Sequence, residues 1–269
     1  MNYIDLLWEI MQEGKQIKDT KELMHVNLIV PKGCLYSFPE VRPLHQTGKY
    51  MEEEVAWYMS GNRDHTEIAK HAELWRKIKN ADGTLNSNYG NLVFYNRTQH
   101  PSLGDVCLPP FEWAARSLES NVDSRQGVVT YNNGGFNYVG NLDYICSQHQ
   151  AFYIRNNTLL CYIALRSSDA IFGLTYNMPW WQLVYQQMFL RLQKTYPELK
   201  SASIQVTIYS AHIYERHFEL VRRMLRSDNI ETYEFFLGKE LPLGQSYEWY
   251  KENLRWIKLT HPKSVTLTC

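Results

Sequence analysis

Apolar residues at Ile4, Leu7, Trp8 and Met11 recur at the three- and four-residue spacing of a helix face, so Tyr3 to Gln12 is predicted helical. His25 to Val30 reads as a strand. Glu52 to Ser60 reads as a helix that stops near Gly61 and Asn62. Thr66 to Ile78 is predicted as one further helix, ended by the Asp82-Gly83 turn signal. Pro109 and Pro110 suit the first turn of a helix that runs through Ala114 and Leu118. Gly127 to Tyr131 is strand-like. Between Gln150 and Leu165, two apolar runs flank Asn156-Asn157, the pattern of a β-hairpin with an Asn-rich turn. Trp181 to Leu192 has a helical pattern, Ser203 to Tyr209 that of a strand, and Glu215 to Leu225 that of a helix.

Strands and helices mix here without strict βαβ alternation. That favours an α+β fold with a mixed sheet. No internal repeat, low-complexity tract or Pro/Gly/Ser linker divides the chain, so one domain over residues 1–269 is expected.

Composition narrows the partners. Apolar residues make up 44% of the chain and charged residues 21%, ordinary values for a globular protein. Lys plus Arg and Asp plus Glu are both 28, which argues against binding nucleic acid along its backbone and leaves room for a local phosphate site. Aromatics reach 14%, with 19 Tyr and 8 Trp; they suit a pocket for flat rings, but a well-filled core explains them as readily. The five cysteines, Cys34, Cys107, Cys146, Cys161 and Cys269, are odd in number and form no CxxC pair. A reduced, cytoplasmic protein is expected. No signal peptide and no membrane-spanning apolar run is read in the sequence.

Four short clusters hold residues suited to chemistry: Asn86 to Gly90, Asp123 to Arg125, Cys146 through Asp169 with Asn177 beyond, and His212 to Tyr214. None has the spacing of a metal site, a Walker loop or a dinucleotide fingerprint. Singly, each has a plain alternative. A lone Cys before a strand is more often a small buried apolar residue than a nucleophile. Arg166-Ser167 is either a surface turn or an anion site, because guanidinium and hydroxyl together suit phosphate. Asn177 is either a turn residue or a reader of a base edge, since a carboxamide offers donor and acceptor side by side. His212 and Tyr214 alternate on a strand and face one side, fit for a sugar hydroxyl or for a satisfied internal network.

Taken together, in order and spacing, these clusters resemble the thymidylate synthase superfamily from about Glu54 to about Val221. The similar stretches are GTLNSNYG at 83–90, DSRQG at 123–127, RSSDAIFG at 166–173 and HIYERHFELV at 212–221, and their wording looks nearest to the phage deoxycytidylate hydroxymethylases. The resemblance implies a twisted mixed sheet covered by helices and a homodimer joined sheet to sheet. It implies that Cys146 adds as thiolate to carbon 6 of a pyrimidine nucleotide, so that carbon 5 attacks the methylene of 5,10-methylenetetrahydrofolate. Arg166 and Ser167 would hold the 5′-phosphate, with Arg166 lowering the thiol pKa. Arg125 would reach the phosphate in the neighbouring subunit. His212 and Tyr214 would bind the sugar 3′-hydroxyl. Glu54 would organise the proton-transfer water network, Tyr89 would assist proton transfer near carbon 5, and Trp75 and Asp169 would contact the folate. No metal is implied.

Four departures bear on the expected activity. Gln126 stands where the family usually has a second arginine, and Ser147 stands where synthases have His. The usual N-terminal phosphate arginine is not evident, which points to a lysine such as Lys32 or Lys49. Asn177 matches the uracil-using members, whereas the deoxycytidylate enzymes tend to carry Asp there. The tail from Lys263 to Cys269 does not resemble the usual synthase ending and favours capture of the intermediate by water. The expected activity is therefore a dUMP hydroxymethylase, phage-encoded and serving DNA modification. The alternatives are a thymidylate synthase, a dCMP or CMP hydroxymethylase, and a catalytically silent nucleotide-binding homologue.

Overall fold

The computed structural model describes residues 1–31, 34–97, 107–234, 239–254 and 263–264. In chain order the elements are α1 (Tyr3–Glu13), β1 (Lys15–Ile17), β2 (Thr20–Val30), β3 (Cys34–Ser37), α2 (Leu44–Ser60), α3 (Leu74–Ile78), α4 (Pro110–Ser120), β4 (Val128–Thr130), β5 (Ser147–Arg155), β6 (Thr158–Leu165), β7 (Ser168–Asp169), α5 (Gly173–Gln193), β8 (Lys200–Tyr214), α6 (Phe218–Leu225), β9 (Glu231–Glu234), α7 (Tyr247–Asn253) and β10 (Lys263–Ser264).

The main sheet runs β1-β2-β8-β6-β5-β4, with β7 beside β8. β6 and β7 are parallel to β8 and the other pairs are antiparallel, so the sheet is mixed as expected. β3, β9 and β10 form a second, small sheet. One face of the main sheet is apolar and covered: Val26, Leu28 and Val30 of β2 and Ile204, Val206 and Ile208 of β8 are buried at the two-residue period of a strand. α5 packs nearly all round, burying Trp180, Trp181, Leu183, Val184, Tyr185 and Met188. The opposite sheet face leaves Ile29, Tyr162 and Tyr209 exposed.

Local signals placed several elements well. Asn2 and Asp5 form a reciprocal capping box at the start of α1, with bonds of 2.9 and 3.1 Å. Asn156 and Asn157 both adopt positive φ, 50° and 54°, the conformation that a two-residue hairpin turn requires.

Other expectations need correction. Residues 66–78 do not form one helix. A 3-10 turn at Ile68–Lys70 is separated from α3, because bonds spaced three residues apart (His71 N to Ile68 O, Trp75 N to Ala72 O) tighten the chain and break its α-helical course. α5 starts at Gly173 rather than Trp181; Pro179 lies inside it, and a proline looks like a boundary in sequence. α2 starts at Leu44 rather than Glu52, with Gly48 and Thr47 masking its first turns. A 3-10 turn, Glu215–His217, precedes α6. Among the described residues no helix is long and apolar enough to cross a membrane.

Candidate active site

Three of the four clusters named from sequence converge at one end of the main sheet. Cys146 directly precedes β5, Arg166 and Ser167 join β6 to β7, Asp169 ends β7, and His212 and Tyr214 close β8. An open cavity of about 650 Å³ lies there. Cys146, Glu54, Tyr89, Asn177, Tyr214, Trp75 and Asp169 all line it. Its size suits one or two small organic ligands.

α2 supplies Glu54, and its C-terminal end is tied to the loop that carries Tyr89. Gly61 ends the helix in the left-handed conformation, φ 65°. The carbonyls left over at that end are taken by the loop: Asn88 Nδ2 donates to Trp57 O and Asn62 O, both at 2.9 Å, and Asn91 Nδ2 donates to Gly61 O at 2.9 Å. Asn86 serves as a hub. Its Oδ1 accepts from Arg63 and Asn80, while its backbone N and that of Ser87 donate to Asp143 Oδ2 at 2.7 and 2.9 Å. Much of the Asn86–Gly90 cluster is therefore scaffold, holding Tyr89 against the segment that leads into Cys146.

Cys146 sits among opposing influences. Burial pushes its thiol above the usual range, the Arg166 guanidinium pulls it down, and the Asp143 carboxylate pushes it up again. The expectation that Arg166 leaves the thiol with a lowered pKa is thus corrected: its effect has the expected sign, but burial outweighs it. Arg166 is fixed in place by donating from Nε to Ile145 O at 3.0 Å and from Nη2 to Tyr144 O at 2.7 Å, with its guanidinium 4.9 Å from the Tyr144 ring centre. Ser167 Oγ lies 3.4 Å from His212 Nδ1, and the His212 and Tyr214 rings meet edge to face at 5.2 Å. Arg166, Ser167 and His212 border the cavity through these neighbours rather than lining it.

Glu54 is buried. Tyr50 donates to its Oε1 at 3.0 Å, and Trp75 Nε1 donates to the Tyr50 hydroxyl at 2.9 Å. Burial raises the Glu54 carboxyl to about 8, against the pull of the Tyr50 and Tyr58 hydroxyls. Asp169 accepts from Ile171 N at 2.9 Å and Phe172 N at 3.4 Å, which sets the turn into α5. Asn177, read as a turn residue or a base reader, lies on that helix and faces the cavity region with Gly173 and Tyr176. No hydrogen bond among the described residues ties its carboxamide to the protein.

Arg125 is not brought to this cavity. It lies in a separate surface depression with Trp113, Arg116 and Gln126. Lys49 is exposed and does not line the cavity, and Lys32 lies outside the described residues, as does the tail after Ser264. The sequence reading missed Arg216, which lines the cavity with its guanidinium 4.0 Å from the Tyr214 ring centre. It also missed Arg42, which bonds Thr175 Oγ1 at 3.1 Å and sits over the rings of Phe172 and Tyr176. Tyr50 and Tyr58 were legible in principle, since they stand one helical turn on either side of Glu54.

The sequence profile described as thymidylate synthase matches residues 1–243. The chain belongs to the thymidylate synthase family. Among curated proteins, the deoxycytidylate 5-hydroxymethyltransferases of Enterobacteria phages T6 and T4 are each 28% identical to it over 182 residues, covering 64% of this chain and 70% of the relative. The phage T2 protein of the same name matches to the same extent. This thymidylate synthase family member is accordingly a folate-dependent one-carbon transferase acting on a pyrimidine. The cavity wall fits such a co-substrate. Trp75, Phe172 and Tyr176 contribute aromatic rings to that wall, and Leu74 and Ile78 add apolar surface.

Proposed function

We propose that this enzyme hydroxymethylates carbon 5 of dUMP, using 5,10-methylenetetrahydrofolate as one-carbon donor and water as the final nucleophile. The observation that carries the base assignment is Asn177, whose uncommitted carboxamide shares the cavity with Cys146. A carboxamide both donates and accepts, matching the carbonyl at position 4 and the N–H at position 3 of uracil. Cytosine presents an amino group and a bare ring nitrogen at those positions. With the carboxamide held in the orientation that pairs with uracil, cytosine is mispaired at a cost of about 1–3 kcal/mol, enough for tenfold to hundredfold selectivity.

In this reading Cys146 adds to carbon 6 and Tyr89 assists the proton loss at carbon 5. Arg166 and Ser167 hold the phosphate, with Arg42 and Arg216 as further cations on that side. His212 and Tyr214 bind the sugar. Trp75 and Asp169 hold the folate, which supplies the carbon at the oxidation level of formaldehyde. The chain acts as one catalytic unit in a homodimer built on the exposed sheet face around Ile29, Tyr162 and Tyr209, and the partner subunit's Arg125 completes the phosphate site. The free thiols Cys107, Cys146 and Cys161 suit a reducing cytoplasm, that of the host if the gene is a phage's, where the product would feed DNA modification.

The names of the phage relatives favour a second reading, dCMP as substrate. Mass spectrometry of the nucleotides after incubation with methylenetetrahydrofolate and an equal mixture of dUMP and dCMP separates the two. A hydroxymethyl adduct on dUMP alone supports the proposal, a product on dCMP alone overturns the base assignment, and a methyl adduct on dUMP makes the protein a synthase. Cys146→Ala is expected to abolish turnover while leaving nucleotide binding largely intact, and unchanged turnover removes Cys146 from the mechanism.

A further inference from the structure

Glu54 is ringed by phenols. Tyr50 and Tyr58 stand four residues before and after it on α2, so the three side chains leave one face of the helix. All three line the cavity that Cys146 and Asn177 also line. The Tyr50 hydroxyl gives its one proton to Glu54 Oε1 and accepts the Trp75 N–H, so its orientation is fixed. Tyr58 stacks on Tyr89 with ring centres 5.1 Å apart, and its hydroxyl acts on the Glu54 carboxyl.

One atom in this cluster is left over. Glu54 Oε2 is buried and has no hydrogen-bond partner among the described residues. A buried carboxylate oxygen at the wall of an open cavity is ordinarily satisfied by an ordered water. A merely space-filling role for Tyr50 and Tyr58 leaves their hydroxyls unexplained, because phenylalanine fills the same volume without a polar atom to satisfy.

We propose that Tyr50 and Tyr58 are positioning residues that hold a water against Glu54 Oε2, and that this water becomes the hydroxyl of the product. The inference rests on the reading of the enzyme as a hydroxymethylase. In the capture step the water oxygen forms a bond to the exocyclic methylene carbon on carbon 5, and its proton passes to the Glu54 carboxylate. The methylene π pair moves into the ring as an enolate. Collapse of that enolate restores the double bond between carbons 5 and 6 and expels the Cys146 thiolate. Nothing is oxidised or reduced. Burial raises the Glu54 carboxyl to about 8, so the folded chain holds it largely protonated near neutral pH; the step runs through its ionised form, a stronger base than an ordinary carboxylate.

The test uses the full chain and its Tyr50→Phe and Tyr58→Phe variants with carbon-5-tritiated dUMP, methylenetetrahydrofolate and 2-mercaptoethanol as a competing trap. Tritium release reports the steps before capture, and mass spectrometry of the nucleotide reports what captured the methylene. Each variant is expected to release tritium within about threefold of wild type, while hydroxymethyl product per tritium released falls about tenfold in favour of the thioether. An unchanged ratio in both variants overturns the proposal, and if one variant fails to fold, the other decides. Methyl product from the wild-type enzyme overturns the proposal together with the hydroxymethylase reading. Turnover of dCMP in place of dUMP overturns only the base assignment, and the same ratio measured on carbon-5-tritiated dCMP then decides the role of the tyrosines.

Discussion

The α-carbon of Gly90 lies against the carbonyl of Tyr58, so closely that a β-carbon there would stand 1.6 Å from the Tyr58 oxygen. This contact is the joint between α2, which carries Glu54, and the loop that carries Tyr89. Both partners are backbone, so no side-chain rotation relieves an added methyl group. Gly90→Ala is expected to cost about 2–4 kcal/mol of stability, read as a lower urea midpoint with an unchanged slope. A variant as stable as wild type would show that the joint is loose.

Replacing Asn177 with Asp tests the base assignment from the protein side. A carboxylate accepts from an amino group but offers uracil no donor in its ionised form. The ratio of kcat/KM for dCMP to that for dUMP is expected to rise by about tenfold or more. A ratio that does not move means that other groups read the base.

The thiol of Cys146 should titrate above an ordinary cysteine, since burial raises it more than Arg166 lowers it. The pH dependence of its alkylation by iodoacetamide, measured against a Cys146→Ser control, reports this directly. Asp143→Asn removes a nearby negative charge and keeps an acceptor for the Asn86 and Ser87 N–H groups, so the profile should shift to lower pH. Arg166→Gln should shift it the other way. Opposite shifts would reverse the electrostatic assignment.

Burial of Glu54 has a stability signature. Its carboxyl is raised from an ordinary 4.5 to about 8. Between those values the folded chain holds a proton that the unfolded chain has released, so this group makes stability fall as pH rises from about 4.5 to about 8. Glu54→Gln removes that dependence. Its Tm should exceed that of wild type above pH 8 and lose the advantage as pH falls toward 4.5. A Tm difference that stays constant across this range would place Glu54 in a more polar setting.

The remoteness of Arg125 from Cys146 within one chain has a direct test. Arg125→Ala and Cys146→Ala are each expected to be nearly inactive as pure proteins. Mixed, denatured and refolded together, they should regain activity through hybrid dimers in which one site is intact. A mixture that remains inactive would remove Arg125 from the shared site.

What the sequence revealed was mostly what neighbours along the chain decide. The apolar spacing that marks α1 and the Asn156–Asn157 turn depend on residues within four positions of each other, and both were legible; the capping box that starts α1 was not read. The run of a helix through Pro179 was not, because burial on all sides of α5 removes the polar stripe that would have marked its course. In the site, the resemblance picked out Cys146, Glu54, Tyr89 and Asn177, which line one cavity. The partners that tune them were hidden. Trp75 reaches Glu54 only through Tyr50, across a connection that includes the broken helix at residues 66–78. Asp143 acts by accepting backbone N–H groups from a loop more than fifty residues away, and no periodicity records that.

In the main sheet β2 pairs with β8, so Leu28 meets Val206 across most of the length of the chain. During synthesis β2 is made early, and one of its edges has no partner strand until β8 has left the ribosome. Contacts this distant in sequence form slowly, because a long loop must close before they give any return. The residues at the end of β8 and the start of β5 come together only after that closure. The surroundings of the thiol are therefore incomplete until β8 has joined, and a chain truncated before β8 carries Cys146 without the site that would make it a nucleophile.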